Sequence, residues 1–96
     1  MASTRLISTK RVLQDGNIVQ VVVWLPARPV PPARHPYKYR LFYGRPGERV
    51  VGFDNERGKG DHKHILGVES TYRFVTLEQL LLDFATGVER VTGRRI

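Results

Sequence analysis

The sequence predicts an α+β fold, in which a C-terminal amphipathic helix packs on one face of an antiparallel four-stranded sheet (ββββ). Two observations predict this class. The first 53 residues contain four β-rich stretches separated by turn or proline-rich segments, and an apolar stripe with helical spacing follows near the end of the chain. With 96 residues and 41% hydrophobic composition, the chain has enough apolar side chains for one modest core. We therefore expect a single domain over residues 1–96.

The first two strands are predicted to form a hairpin. The β-rich segments 6–13 and 17–25 are separated by Gln14-Asp15-Gly16, and both residues of the Asp-Gly pair tolerate the positive φ of a tight turn. From Ile18 to Trp24 the second segment is apolar on both faces. That pattern favours a strand inside the sheet rather than at its edge.

A proline-rich loop precedes the next two strands. Five of the six prolines lie between Pro26 and Pro36, which predicts an extended surface loop because proline cannot donate a ladder hydrogen bond. The chain then alternates from Tyr37 to Tyr43, as a strand with two different faces does. Residues 44–48 are predicted to turn the chain into a fourth strand over residues 49–53.

The helix has the clearest signals. Residues 72–75 are expected to be a short extended piece, and Thr76-Leu77-Glu78-Gln79 then fits a capping box. An apolar stripe at i, i+3, i+4, i+7 and i+11 predicts the face that the sheet covers. It consists of Leu77, Leu80, Leu81, Phe84 and Val88. Residues 92–96 are expected to fray.

Composition limits the classes of function. The formal net charge is +7, and the first 48 residues carry eight cations against two anions, which favours an anionic partner such as nucleic acid. The absence of cysteine excludes disulfides, thiolate metal sites and a cysteine nucleophile. No apolar stretch approaches twenty residues and no signal-peptide pattern is present, so we expect a soluble cytoplasmic protein that does not contact a membrane.

The segment from Asp54 to His64 is the candidate active site. Its eleven residues include eight ionisable side chains, two glycines and no apolar residue, which predicts a polar loop. The segment contains carboxylates, permanent cations and two of the three histidines. It can therefore supply acid, base and anion-binding groups together.

RNA cleavage without a metal needs one group to remove the 2′-hydroxyl proton, another to protonate the leaving oxygen, and cations for the phosphate. His62 and His64 are predicted to transfer the protons, because an extended segment puts both rings on one side and turns Lys63 away. Asp61 is expected to orient a histidine, and Glu56 is a reserve base. Contacts with phosphate or RNA bases are expected from Arg57, Lys59, Lys63, Lys38, Arg40, Arg34 and Tyr39.

Each of these interpretations has an alternative. A charged loop is often only solvated, and tyrosines at a spacing of two more often pack in a core than stack on bases. His35, beside Pro36, is interpreted as incidental or as a phosphate contact rather than a catalyst. Asp61, His62 and His64 could also hold a metal ion, but we expect no metal and no cofactor.

The segment from Gly52 to His64, followed by Tyr72-Arg73-Phe74 and a leucine-rich helix, resembles the TumE family of small bacterial and archaeal toxins. The similarity continues through residues 35–40 and the first hairpin. It implies the toxin half of a two-gene toxin–antitoxin module. It also implies a helix-turn-helix antitoxin as partner, one that represses the operon.

The residues themselves favour a metal-independent ribonuclease that acts on mRNA or ribosome-associated RNA. One alternative is a non-catalytic protein that binds RNA or the ribosome and blocks translation. Another is a metal-dependent nuclease or nucleotidyl transferase. The oligomeric state stays open, with a homodimer among the alternatives.

Overall fold

The computed structural model describes residues 3–96, which form an antiparallel sheet and one helix. Each strand of the sheet lies beside the strand that follows it in the sequence. The elements are β1 Thr4–Val12, β2 Ile18–Leu25, β3 Lys38–Arg45, β4 Glu48–Glu56, β5 Gly60–Ile65, β6 Val68–Thr71 and α1 Leu77–Thr92. The α+β class, the antiparallel sheet and the C-terminal helix are confirmed.

The hairpin of β1 and β2 forms at the predicted turn. Gly16 has a φ of 85°, and the Leu13 amide donates to the Asn17 carbonyl at 2.8 Å. This closure pairs Val12 with Ile18 and fixes the register of the two strands. The apolar strand β2 lies between β1 and β3, inside the sheet as predicted.

The prediction of four strands is wrong, because the described part of the chain forms six. The segment from Asp54 to His64 is not a loop: β4 continues to Glu56, a turn follows, and the chain returns as β5. Both extra strands lack the usual apolar alternation. On β5 the positions facing away from the helix are Gly60, His62 and His64, and β6 is a short, fully exposed strand at the edge of the sheet.

The helix begins as its sequence predicts. The Thr76 hydroxyl accepts a hydrogen bond from the Gln79 amide at 3.0 Å. The second half of the capping box is replaced, because the Gln79 side chain donates to Asp83 at 2.7 Å. The helix ends at Gly93, whose φ of 76° suits glycine, and its amide donates to the Glu89 carbonyl.

The tail is more ordered than predicted. The Arg94 guanidinium donates to the Asp15 carboxylate at 2.9 Å, and Ile96 packs against the core. The first contact joins the C-terminus to the first hairpin, and the second joins it to the core.

The core lies between α1 and one face of the sheet, which we call the helix face. The predicted stripe contributes three fully buried residues, Leu80, Phe84 and Val88, and the Phe84 ring packs edge-on against Phe53 of β4. Gly87 of the helix faces β4, and a Cβ there would make an ordinary van der Waals contact with Val51 at 3.5 Å. No helix of residues 3–96 covers the opposite face, and we call it the open face.

Leu80 and Leu82 allow a matched test of this packing. Leu80 has no exposed surface, whereas Leu82 is 58% exposed on the same helix. We expect Leu80→Ala to lower the free energy of unfolding by about 2–5 kcal/mol, because it removes buried methyl groups and leaves a cavity. Leu82→Ala should change it by no more than about 0.5 kcal/mol. Urea unfolding of both variants measures the difference, and equal losses would contradict the proposed core.

Candidate functional site

The hairpin of β4 and β5 brings one carboxylate and two histidines together on the open face. Asp54 is directly opposite His62, and Gly52 is directly opposite His64, so the side chains of Asp54, His62 and His64 share one face. The two imidazole rings meet edge to face, with 5.1 Å between their centroids. The expected geometry of His62 and His64 is therefore present, and Lys63 lies on the helix face, opposite Phe53.

His62 is held in one orientation. It is only 3% exposed, and its Nδ1 lies 3.1 Å from the Gly60 carbonyl oxygen. Because a carbonyl can only accept, Nδ1 carries the proton and donates it. In a neutral ring Nε2 then has a free lone pair. This atom lies 2.7 Å from Asp54 Oδ1 and 3.8 Å from Glu56 Oε1.

His64 is the more accessible histidine, with 15% of its side chain exposed. Its Nε2 lies 4.0 Å from the same oxygen of Asp54. Partial burial lowers the pKa of His64 below its usual value, and the nearby Arg49 lowers it further. The ring is therefore neutral at pH 7 and offers a lone pair.

Two arginines flank this cluster on the open face. Arg40 of β3 is exposed and lies opposite Asp54. The Arg49 side chain crosses Gly52, where an added Cβ would lie 3.2 Å from its Cγ. Gly52 therefore leaves the space that the guanidinium needs to lie near His64. Within residues 3–96, no carboxylate forms an ion pair with either arginine.

Other predicted cations are engaged or lie elsewhere. Lys59 forms an ion pair with Glu69, and the Lys38 ammonium donates to the Asn55 carbonyl. Lys63 lines a cavity on the helix face with Asp83 and Arg90. Arg57 is exposed in the turn between β4 and β5, and Arg34 lines a second cavity beside His35.

A second polar cluster lies on the helix face, around Asp61. Asp61 Oδ2 accepts from the Tyr39 hydroxyl at 2.7 Å and lies 2.7 Å from His35 Nε2. The His35 Nδ1 atom accepts from the Tyr37 amide at 3.1 Å, so Nε2 carries the proton and donates to Asp61. Asp61 thus orients a histidine, but that histidine is His35 rather than His62 or His64.

Tyr39 belongs to the core rather than to a binding surface. It has no exposed surface, so no base can stack on it in this structure. The His35 ring stacks on Phe74 with 3.8 Å between centroids and closes the same end of the sheet. Tyr39 therefore packs in the core, which was the alternative to stacking on RNA bases.

Sequence reasoning missed Asp54 and Arg49 as members of the site. A usable signal for Asp54 was present, because a hairpin turning at Gly58 pairs residue 54 with residue 62. Arg49 carried no comparable signal. Its position depends on the missing side chain of Gly52 on the same strand, which no motif in the sequence marks.

A family model for the toxin TumE matches residues 3–92. The chain belongs to the TumE toxin family. The matched range contains both polar clusters, the whole sheet and the helix. Comparison with curated proteins found no match, and comparison with solved structures found none either.

Membership in the TumE family makes this chain a toxin of a toxin–antitoxin module, with an antitoxin as its partner. In the part of this TumE toxin that the structure describes, no helix is long and apolar enough to cross a membrane.

Because of the Asp61 cluster, we expect this TumE toxin to have a lower free energy of unfolding at alkaline pH. Burial raises the pKa of Tyr39 above its ordinary value of 10.0, and the hydrogen bond to Asp61 raises it further. The unfolded chain therefore releases this proton first. The contribution of Tyr39 to stability is complete below about pH 10 and falls above it, by about 1.4 kcal/mol per pH unit.

Tyr39→Phe tests this contribution. At neutral pH the variant should be less stable than the wild type, because Asp61 loses a donor. Between about pH 10 and about pH 11 that deficit should shrink, since phenylalanine has no proton to lose. Urea unfolding across this range provides the comparison. A constant deficit would show that Tyr39 does not resist ionisation in the folded state.

Proposed function

We propose that this toxin is a ribonuclease that acts in the cytoplasm, with Asp54, His62 and His64 as its reactive centre. One observation carries the proposal. Three groups able to transfer protons or bind cations meet on the open face, and two arginines without carboxylate partners in residues 3–96 flank them. A phosphodiester needs both kinds of group within reach of the same phosphorus atom.

The geometry suggests different roles for the two histidines. His64 is partly exposed and neutral, so it is the group that contacts the substrate and exchanges a proton with it. His62 is buried behind it, between the Gly60 carbonyl and Asp54, and acts from a fixed position. Glu56 lies at the exposed side of His62 and stays available as a second carboxylate.

Arg40 and Arg49 are the cations best placed for the phosphate. Both lie on the face that carries the cluster, and their guanidinium groups can donate two parallel hydrogen bonds to phosphate oxygens. Lys59 and Lys38 contribute less, because one is paired with Glu69 and the other donates to a backbone carbonyl. RNA thus approaches the sheet from its open side.

His64→Gln tests the proposed activity. Because glutamine cannot exchange a proton near neutral pH, we expect cleavage of a model RNA to fall by about 10²-fold or more, with RNA affinity nearly unchanged. Induced expression of the wild type without its antitoxin should arrest growth, and His64→Gln should relieve that arrest.

The matched control is His35→Gln, the same substitution at the histidine whose two ring nitrogens are already hydrogen-bonded. It should retain cleavage and toxicity as long as circular dichroism shows a folded chain. If His64→Gln keeps both the wild-type toxicity and RNA binding, and no cleavage is detected for either protein, the toxin blocks RNA rather than cutting it. That outcome would reject the ribonuclease proposal.

Salt dependence tests the role assigned to Arg40. If its guanidinium neutralises one phosphate, Arg40→Ala should reduce the slope of log affinity against log salt by about one unit. Arg95→Ala is the control, because Arg95 lies at the end of the helix and pairs with Glu89. Equal slopes for the wild type and Arg40→Ala, measured by fluorescence anisotropy with a labelled RNA, would remove Arg40 from the interface.

A further inference from the structure

Two buried atoms of the open-face cluster lack a hydrogen-bond partner. They are Asp54 Oδ1 and His62 Nε2, and within residues 3–96 no donor or acceptor meets either of them with hydrogen-bond geometry. The side chain of His62 is only 4% exposed. Leaving such groups unsatisfied costs free energy, so native structures nearly always provide a partner.

The position of the two atoms is unusual for an ordinary ion pair. They lie 2.7 Å apart, yet the oxygen lies too far from the direction of the ring N–H for a hydrogen bond. Furthermore, the Gly60 carbonyl fixes the proton on Nδ1, which leaves Nε2 with a lone pair in the neutral ring. A carboxylate oxygen and an imidazole lone pair side by side repel each other, unless a positive charge, either a proton or a metal ion, is bound there.

A third donor completes the arrangement. His64 Nε2 lies 4.0 Å from Asp54 Oδ1, and one ligand atom from each of the three residues lies within 4.8 Å of the others. Bonds of about 2.0–2.2 Å from one ion to nitrogen and oxygen ligands separate those ligands by up to about 4 Å. The cluster is therefore close to the size that one ion requires.

We propose that Asp54, His62 and His64 bind a divalent transition-metal ion, with Zn²⁺ as the foremost candidate. Two imidazole nitrogens and one carboxylate oxygen suit Zn²⁺, Mn²⁺, Fe²⁺ or Co²⁺ and do not suit Mg²⁺ or Ca²⁺, which prefer oxygen ligands alone. Three protein ligands leave a coordination position open. Glu56 lies 3.8 Å from His62 Nε2 and is the nearest additional carboxylate.

Asp61 is not part of this site, although it precedes His62 directly. It points to the helix face and binds His35 and Tyr39 there. That cluster contains the same donor types, a histidine and a carboxylate, but its hydrogen bonds already satisfy them. It serves as an internal comparison, because it contains a histidine and a carboxylate whose polar atoms are already hydrogen-bonded.

Metal binding does not depend on RNA cleavage, and only its chemical role rests on the proposed function. With an ion bound, His64 would be a ligand, and a water molecule held by the ion would exchange the proton in place of its imidazole. The sequence pattern had favoured a metal-free pair of histidines. The two unpartnered buried atoms favour a metal instead.

The experiment uses the full chain without an affinity tag, stripped with EDTA and dialysed. Co²⁺ is titrated with visible absorption as the readout, and Zn²⁺ by calorimetry. We expect one ion per chain. The Co²⁺ spectrum should show ligand-field bands typical of nitrogen and oxygen ligands and no charge-transfer band. Asp54→Asn and His64→Gln should each weaken binding by about 10²-fold or more, while His35→Gln should bind as the wild type does. Zn²⁺ should also raise the Tm of the wild type and of His35→Gln.

Two outcomes would overturn the metal site. One is a stripped wild-type chain that binds none of Zn²⁺, Co²⁺ and Mn²⁺ with a dissociation constant below about 1 mM. The other is wild-type affinity in both Asp54→Asn and His64→Gln. If one variant fails to fold, the affinity of the other variant decides. The binding stoichiometry of the wild type is measured without either variant.

Cleavage assays separate this proposal from the proposed function. RNA cleavage that survives EDTA, together with no metal binding, would leave a metal-free ribonuclease and reject the metal. Stoichiometric metal binding without any cleavage would keep the site and reject the ribonuclease. Loss of cleavage on chelation and its return with Zn²⁺ or Mn²⁺ would support both.

Discussion

The antiparallel pairing of β4 with β5 decides on which side of the sheet each polar group lies. It sets Asp54 against His62 and Phe53 against Lys63, so neighbouring residues alternate between the open face and the core. A shift of β5 by one residue in this register would turn the site histidines to the helix face, whereas Phe53, packed under the helix, keeps Asp54 on the open face. The hydrophobic contact of Phe53 with Phe84 therefore stabilises the arrangement of the site as well as the core.

Much of the architecture could be predicted from local patterns. The Asp15-Gly16 turn, the interior position of β2 and the stripe on α1 each follow from a few neighbouring residues. The strand β5 could not be recognised in this way, because the charged residues Asp61 and Lys63 occupy helix-facing positions at which apolar side chains are usual. A strand with polar residues on both faces looks like a polar loop in the sequence.

The candidate site was only partly predictable for a related reason. Placing His62 and His64 on one side needs only the alternation of a strand, and the structure agrees. Choosing between Asp54 and Asp61 needs the cross-strand register, since Asp61 is nearer to His62 in sequence but points to the other face. Tyr39 shows the same limit, because an alternating tyrosine fits a buried face as well as an exposed one.

The order of the strands also bears on how the chain folds. Every pairing in the sheet joins strands that are consecutive in the sequence, and all but the pairing of β2 with β3 close a short loop and lose little chain entropy. Local pairing of this kind favours fast folding. The hairpin of β4 and β5 spans only a three-residue connection, between Glu56 and Gly60. Asp54 and His62 can therefore meet early, before the helix closes over the opposite face.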